Sequence, residues 1–180
     1  MSTPHRIRLR GPWECRPLAW SGSEWADSQN SSSTVPAVTN PPTPVRTIPT
    51  ERPLPEAGLL TMPSDWSPIA GPDFRGRVLF TRRFGCPSGI VDDDRVELVV
   101  EAVDQRASIE LNGQMLGETR WGAGPWRLEI TDRLRPANEL RITVDLPAEP
   151  RDRGERAGKP GGLIGEVRLE IHEHSPGIAR

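Results

Sequence analysis

Leu140-Arg141-Ile142-Thr143-Val144-Asp145-Leu146 decides the fold of this chain, because four aliphatic side chains alternate there with three polar ones. A period of two sends successive side chains to opposite faces of a pleated strand, one set into a core and the other into water. The pattern recurs upstream, where Val96, Leu98 and Val100 alternate with Arg95, Glu97, Val99 and Glu101. Downstream, Val167, Leu169 and Ile171 alternate with Arg168, Glu170 and His172. Strand follows strand from Arg77 to Ile171, with no strand–helix alternation of the parallel-sheet kind. The prediction is an all-β antiparallel sandwich whose outer faces are solvated.

Between these runs, Ala107 to Leu111, Asn112-Gly113 and Gln114 to Gly117 form the clearest hairpin. Asn-Gly suits a two-residue turn in which both central residues take positive φ, so Asn112 reads first as turn chemistry. Arg77 to Phe84 makes a further strand with Val78 and Phe80 on one side, and Arg127 to Ile130 another. Thr131-Asp132 is placed to cap a short helical turn over Arg133-Leu134-Arg135, which Pro136 ends. Near the start, Ile7 and Leu9 alternate with arginines, Gly11-Pro12 interrupts, and Trp13 to Leu18 resumes, as one broken edge strand. Pro63-Ser64-Asp65-Trp66 reads as a turn with an aromatic anchor.

From about Ala26 the character changes. Ser31, Ser32, Ser33 and Thr34 lead into Pro36, Pro41, Pro42, Pro44, Pro49, Pro53 and Pro55. Such a segment buries too little apolar surface to offset its ordering entropy, although a proline-rich ligand for a recognition module is the alternative reading. The expected organisation is residues 1–25 as opening strands, 26–57 as a disordered insert, 58–174 as the sandwich body and 175–180 as a flexible tail. Within the body, Ala148 to Gly162 is polar and reads as a second mobile loop.

Hydrophobic residues make up 34 % of the 180, with twenty prolines and seventeen glycines, so part of the chain is expected outside the core. A formal net charge of −2 supplies no field to steer the chain toward nucleic acid, which is not an expected partner. No run approaches the eighteen apolar residues of a membrane span, and Met1-Ser-Thr-Pro-His-Arg6 opens no export signal. A soluble, cytoplasmic protein is the expectation. Cys15 and Cys86 are the only cysteines and His5, His172 and His174 the only histidines. Two thiols do not make a tetrahedral zinc site without histidines at ligand spacing. Two buried thiols are expected, with a disulfide conceivable if their strands are neighbours. His172 and His174 share a strand face but lack a third ligand. Asp92-Asp93-Asp94 offers hard oxygens for calcium, but adjacent residues on one loop do not converge on a point, and a solvated turn is expected. No metal, cofactor or catalytic site emerges.

Several phrases, taken together and in order, resemble one family. Arg77-Val78-Leu79-Phe80-Thr81-Arg82-Arg83-Phe84 resembles a strand ending in a basic–basic–Phe run. Glu101-Ala102-Val103-Asp104-Gln105-Arg106-Ala107-Ser108-Ile109-Glu110-Leu111-Asn112-Gly113 is similar to a G-V-D-x-x-A-x-V-x-L-N-G signature. Pro125-Trp126 leads to Ile130-Thr131-Asp132-Arg133-Leu134-Arg135-Pro136, and Asn138-Glu139-Leu140 and Gly161-Gly162-Leu163 complete the series. They resemble the N-terminal sugar-binding domain of family-2 glycoside hydrolases, the β-galactosidase and β-glucuronidase group. The resemblance implies a galactose-binding-domain-like jelly-roll sandwich over roughly Leu59 to His172. In complete enzymes of that group the catalytic carboxylates sit on an (α/β)₈ barrel. Such a barrel needs about 250 residues, so none is expected here.

The expectation for function is therefore a non-catalytic carbohydrate-binding module. Sugar recognition sets an aromatic face against the C–H side of a pyranose, with planar hydrogen-bonding groups around its hydroxyls. Trp121, Arg120, Asp104, Arg106 and Asn112 are the candidate ligand contacts, around the glycine-rich loop Trp121 to Trp126. Trp126 is expected to pack inward at the start of its strand. The alternative is a structural module docking on a partner chain, such as a separate glycosidase.

Overall fold

The computed structural model describes residues 3–21, 52–91, 93–149 and 154–173. Strands β1 (His5–Arg8), β12 (Val167–His172), β6 (Arg95–Val100) and β9 (Trp126–Glu129) form a four-stranded sheet in that order. A six-stranded sheet runs β3 (Gly58–Leu60), β2 (Trp13–Trp20), β5 (Gly76–Gly85), β10 (Ala137–Leu146), β7 (Arg106–Leu111), β8 (Gln114–Arg120). Every neighbouring pair is antiparallel. Short β4 (Ser64–Asp65) pairs with β11 (Gly162–Leu163), and one helical turn, α1 (Ser67–Ala70), follows β4.

The alternation read from the sequence sets the core. Leu140, Ile142, Val144 and Leu146 of β10 are fully buried, and they join Val78 and Phe80 of β5 and Ile109 and Leu111 of β7. Val96, Leu98 and Val100 of β6 and Val167, Leu169 and Ile171 of β12 complete the same cluster. Burying each such side chain is worth about 1.5–3 kcal/mol, so the ten-residue pair β5–β10 and the central strands β6 and β12 carry the sandwich. Asn112 and Gly113 take φ of 54° and 81°, the twin positive values an Asn-Gly hairpin turn requires.

Five expectations change. The two halves of the opening segment belong to different sheets. β1 lies at the edge of the four-stranded sheet, and β2 lies inside the six-stranded one. Alternation continues on both sides of Gly11-Pro12 and does not encode which wall each half joins. Trp13, buried in the core, donates its indole N–H to the Leu9 carbonyl at 2.6 Å and fastens the crossing. Next, Arg168 and Glu170 are not solvated, although they sit on the outer face of β12. They are only 4 % and 2 % exposed, because β12 is flanked on both sides and neighbouring charged side chains close over them. Cys15 is buried but Cys86 is exposed, and both are free thiols. Asp94 is buried, its carboxylate accepting the Val91 N–H at 3.1 Å, so it closes its own loop; Asp92 lies outside the described residues. Finally, the helical turn falls at Thr131–Arg133 without a side-chain cap, the Thr131 hydroxyl being taken by the Val96 N–H at 2.9 Å.

Residues 22–51, which take in the end of the expected opening strands and 26–51 of the expected insert, lie outside the described residues, as do residues 174–180. Where the chain resumes, the Arg52 guanidinium lies 3.6 Å over the Trp20 ring, and the Trp20 indole donates to the Pro53 carbonyl at 3.2 Å. The Gly161-Gly162 pair has a steric cause. A Cβ on Gly161 would fall 2.4 Å from the buried Trp66 ring, and one on Gly162 would fall 2.4 Å from the Ser64 carbonyl oxygen.

Candidate functional site

The free edges of the two sheets lie on the same flank of the sandwich, β8 for one and β9 for the other. Trp126 opens β9 opposite Val100, so it faces the interior. Its indole lies against the backbone of Gly117 in β8, where a Cβ would stand 3.4 Å from Nε1. Along this seam runs a cavity of about 770 Å³, lined among others by Arg106, Glu118, Arg120, Gln105, Trp126 and Arg127. That volume lies within the usual range for small-molecule sites.

The five sequence candidates do not meet at one point. Arg106 and Arg120 line this cavity. Trp121 is half-buried and is not among the lining residues, its N–H donating to the Gln105 carbonyl at 2.9 Å. Asn112 sits at the far end of β7, six residues and so roughly 20 Å from Arg106. It works there as a clamp. Its side-chain oxygen accepts the Glu139 N–H, and its amide donates to the Arg133 carbonyl and to Asn138, each at 3.0 Å. Asn112 also borders a second, shallower concavity with Arg83, Phe84 and Arg135. Asp104, expected from the sequence to be a ligand contact, is fully buried. Its carboxylate pairs with Arg156 at 2.8 and 3.3 Å, while Arg156 also donates to the Pro160 carbonyl at 2.5 Å. Sequence reasoning missed Trp126 and Gln105 as lining residues. Trp126 packs inward as expected, yet still presents surface to the cavity, and a facing direction alone does not reveal that.

Beside the cavity, Arg127 points to the outer face of the four-stranded sheet and bonds Glu97 at 2.9 Å and Glu170 at 2.6 Å. Glu170 also accepts from Arg168 at 2.7 Å and lies 3.2 Å from Arg6. Burial pushes the Glu170 carboxyl up, but the guanidiniums of Arg127 and Arg168 outweigh it and hold the group down at about 2. Burial also pushes the Glu101 carboxyl up, but the Glu166 N–H and the Arg168 guanidinium together hold it below its ordinary value. Glu97, Glu170 and His172 converge within 4.8 Å, the spacing of a metal site. Their negative charge is already met by arginine, so the cluster reads as a structural ion network; His174 lies outside the described residues. No helix among the described residues is long and apolar enough to cross a membrane.

The sequence profile of the family described as glycosyl hydrolase 2 galactose-binding domain-like matches residues 75–171, more than half of the chain. This chain belongs to that family. The profile spans β5 to β12, so this galactose-binding-like domain carries its family match on both sheets and along the whole cavity seam. No curated protein matches the chain. Among solved structures, a β-glucuronidase from Bifidobacterium dentium in complex with coumarin-3-O-glucuronide aligns with a TM-score of 0.63 and 20 % identity. The alignment covers 95 % of this chain and 30 % of that one. An FMN-binding β-glucuronidase from Faecalibacterium prausnitzii L2-6 aligns at 0.62 and 22 %, covering 95 % and 23 %. A Bacteroides uniformis β-glucuronidase aligns at 0.59 and 18 %, covering 93 % and 18 %. The galactose-binding-like domain thus shares its fold with one part of each of these proteins and spans less than a third of their length.

Proposed function

We propose that this domain is a non-catalytic carbohydrate-binding module whose ligand lies in the β8–β9 cavity. The observation that carries this reading is that Trp126, Arg106, Arg120 and Gln105 border one space at the sheet edge, an aromatic residue and planar hydrogen-bonding residues around a volume able to admit a sugar. In this reading Arg106 and Arg120 contact the ligand, and Trp126 supplies the aromatic face that the sequence reading gave to Trp121. Isothermal titration against a panel of mono- and oligosaccharides tests it. Binding in the millimolar range or tighter, weakened by Trp126→Ala and by Arg120→Gln, is expected. No heat from any sugar at those concentrations overturns it.

A second reading, docking on a protein surface, draws on Leu54 and Leu59. They are 44 % and 67 % exposed on the segment that forms the opposite edge of the six-stranded sheet. Cross-linking that captures a partner through Leu59→Cys, with no sugar binding, would favour it instead.

A further inference from the structure

We infer that the carbohydrate taken by the β8–β9 cavity carries an anionic group, a carboxylate or a sulfate, held between Arg106 and Arg120; this rests on the sugar-binding reading above. Arg106 and Arg120 stand directly opposite each other across β7 and β8. Like charges at directly opposed positions of an antiparallel pair repel, and the register places these two guanidiniums on one face. Glu118, two positions before Arg120 on β8, bonds Arg106 at 2.5 and 3.2 Å and accounts for one of the two charges. The third guanidinium at the cavity, Arg127, is drawn away to Glu97 and Glu170. Arg120 has no ion-pair partner among the described residues. Its cationic head, at an exposed strand end, borders the same space as the Trp126 ring.

With Arg106 met by Glu118 and Arg127 by Glu97 and Glu170, Arg120 is the lining guanidinium without an ion pair among the described residues, in a chain whose net charge is −2. The local excess of positive charge runs against the composition. A planar guanidinium matches a carboxylate or sulfate by paired N–H···O bonds, and a neutral hydroxyl cannot accept two of them in that geometry. An anion seated beside Arg120 and within reach of Arg106 would relieve the cross-strand repulsion, leaving the sugar ring to meet the indole.

The test is titration of the whole chain with a galacturonate trisaccharide, with the neutral galactose trisaccharide, and with sodium sulfate alone, at low and high salt. The acidic trisaccharide is expected to bind at least about tenfold more tightly than its neutral counterpart at low salt, with the margin narrowing as salt rises. Arg120→Gln is expected to abolish that margin, weakening the acidic trisaccharide at least about tenfold more than the neutral one. Circular dichroism and a thermal melt confirm that the variant folds, and Arg120→Lys should restore only part of the preference. Equal or tighter binding of the neutral trisaccharide overturns the inference and leaves sugar binding standing. An acid preference that survives Arg120→Gln also overturns it. Sulfate binding as tightly as the acidic sugar overturns it in favour of a bare anion site. Binding of neither trisaccharide overturns both this inference and the reading beneath it.

Discussion

Replacing Arg156 by alanine is expected to destabilise the domain by about 3 kcal/mol, the low end of the 3–5 kcal/mol that follows removal of one partner from a buried ion pair. The Asp104 carboxylate is 0 % exposed and the Arg156 side chain 19 %, so the charge left behind is buried. Their contact is two-pronged, at 2.8 and 3.3 Å, and Arg156 also bonds the Pro160 carbonyl. The Arg156 side of the pair keeps some contact with solvent, which is why the low end applies. For a domain of this size the loss lowers the melting midpoint by roughly 6–12 °C. The control is Glu118→Ala, which breaks the Arg106–Glu118 pair. That contact is shorter, at 2.5 Å, but its side chains are 65 % and 53 % exposed, so water screens it and only a slight loss is expected. Urea denaturation of these two variants, together with Asp104→Ala and Asp104→Ala/Arg156→Ala, closes a double-mutant cycle for the buried pair. A loss for Arg156→Ala under about 1 kcal/mol, or no greater than for Glu118→Ala, refutes the claim that burial rather than distance sets the strength of these pairs.

Asn112→Ala removes three side-chain hydrogen bonds and puts alanine at φ 54°, so a loss of about 2–3 kcal/mol is expected in urea unfolding; Asn112→Asp, which keeps only the acceptor, should lose less. The Glu170 carboxyl has its folded value depressed from an ordinary 4.5 to about 2. Its contribution is therefore fully present above about pH 5 and is lost as pH falls toward 2, a fall of about 3 kcal/mol. Glu170→Gln should flatten that part of the stability–pH curve, and an unchanged acid limb would contradict it. Burial pushes the Cys15 thiol up to about 12, whereas Cys86 is exposed. A thiol reagent at pH 8 should therefore modify one cysteine in the native protein and two in denaturant, and Cys86→Ser should leave the native protein unreactive.

The strands of the core were legible because a residue's burial there depends on its own parity, as Leu140 to Leu146 show. The Asn-Gly turn was legible for a similar local reason, since two positive φ values restrict the residues at two adjacent positions. Asp104 was not. Its neutralising partner lies 52 residues away, and no local pattern distinguishes a carboxylate in a turn from one buried beneath a returning loop. Arg168 and Glu170 obey the alternation and still escape water, because their burial is made by Arg6, Arg127 and Glu101 on other elements. The cavity was half legible. Arg106 and Arg120 were found from their neighbourhood, but the choice between Trp121 and Trp126 depended on how β9 meets β8, a contact between the edges of two sheets.

The Gly161-Gly162 pair was among the phrases by which the chain resembled its family, and its cause is the indole of Trp66 and the carbonyl of Ser64. A motif enforced by an interior wall travels with the architecture. Relatives that have exchanged one cargo for another, or abandoned cargo altogether, should still display those two glycines. Specificity among them should instead track the side chains bordering the seam, which the interior leaves free to vary.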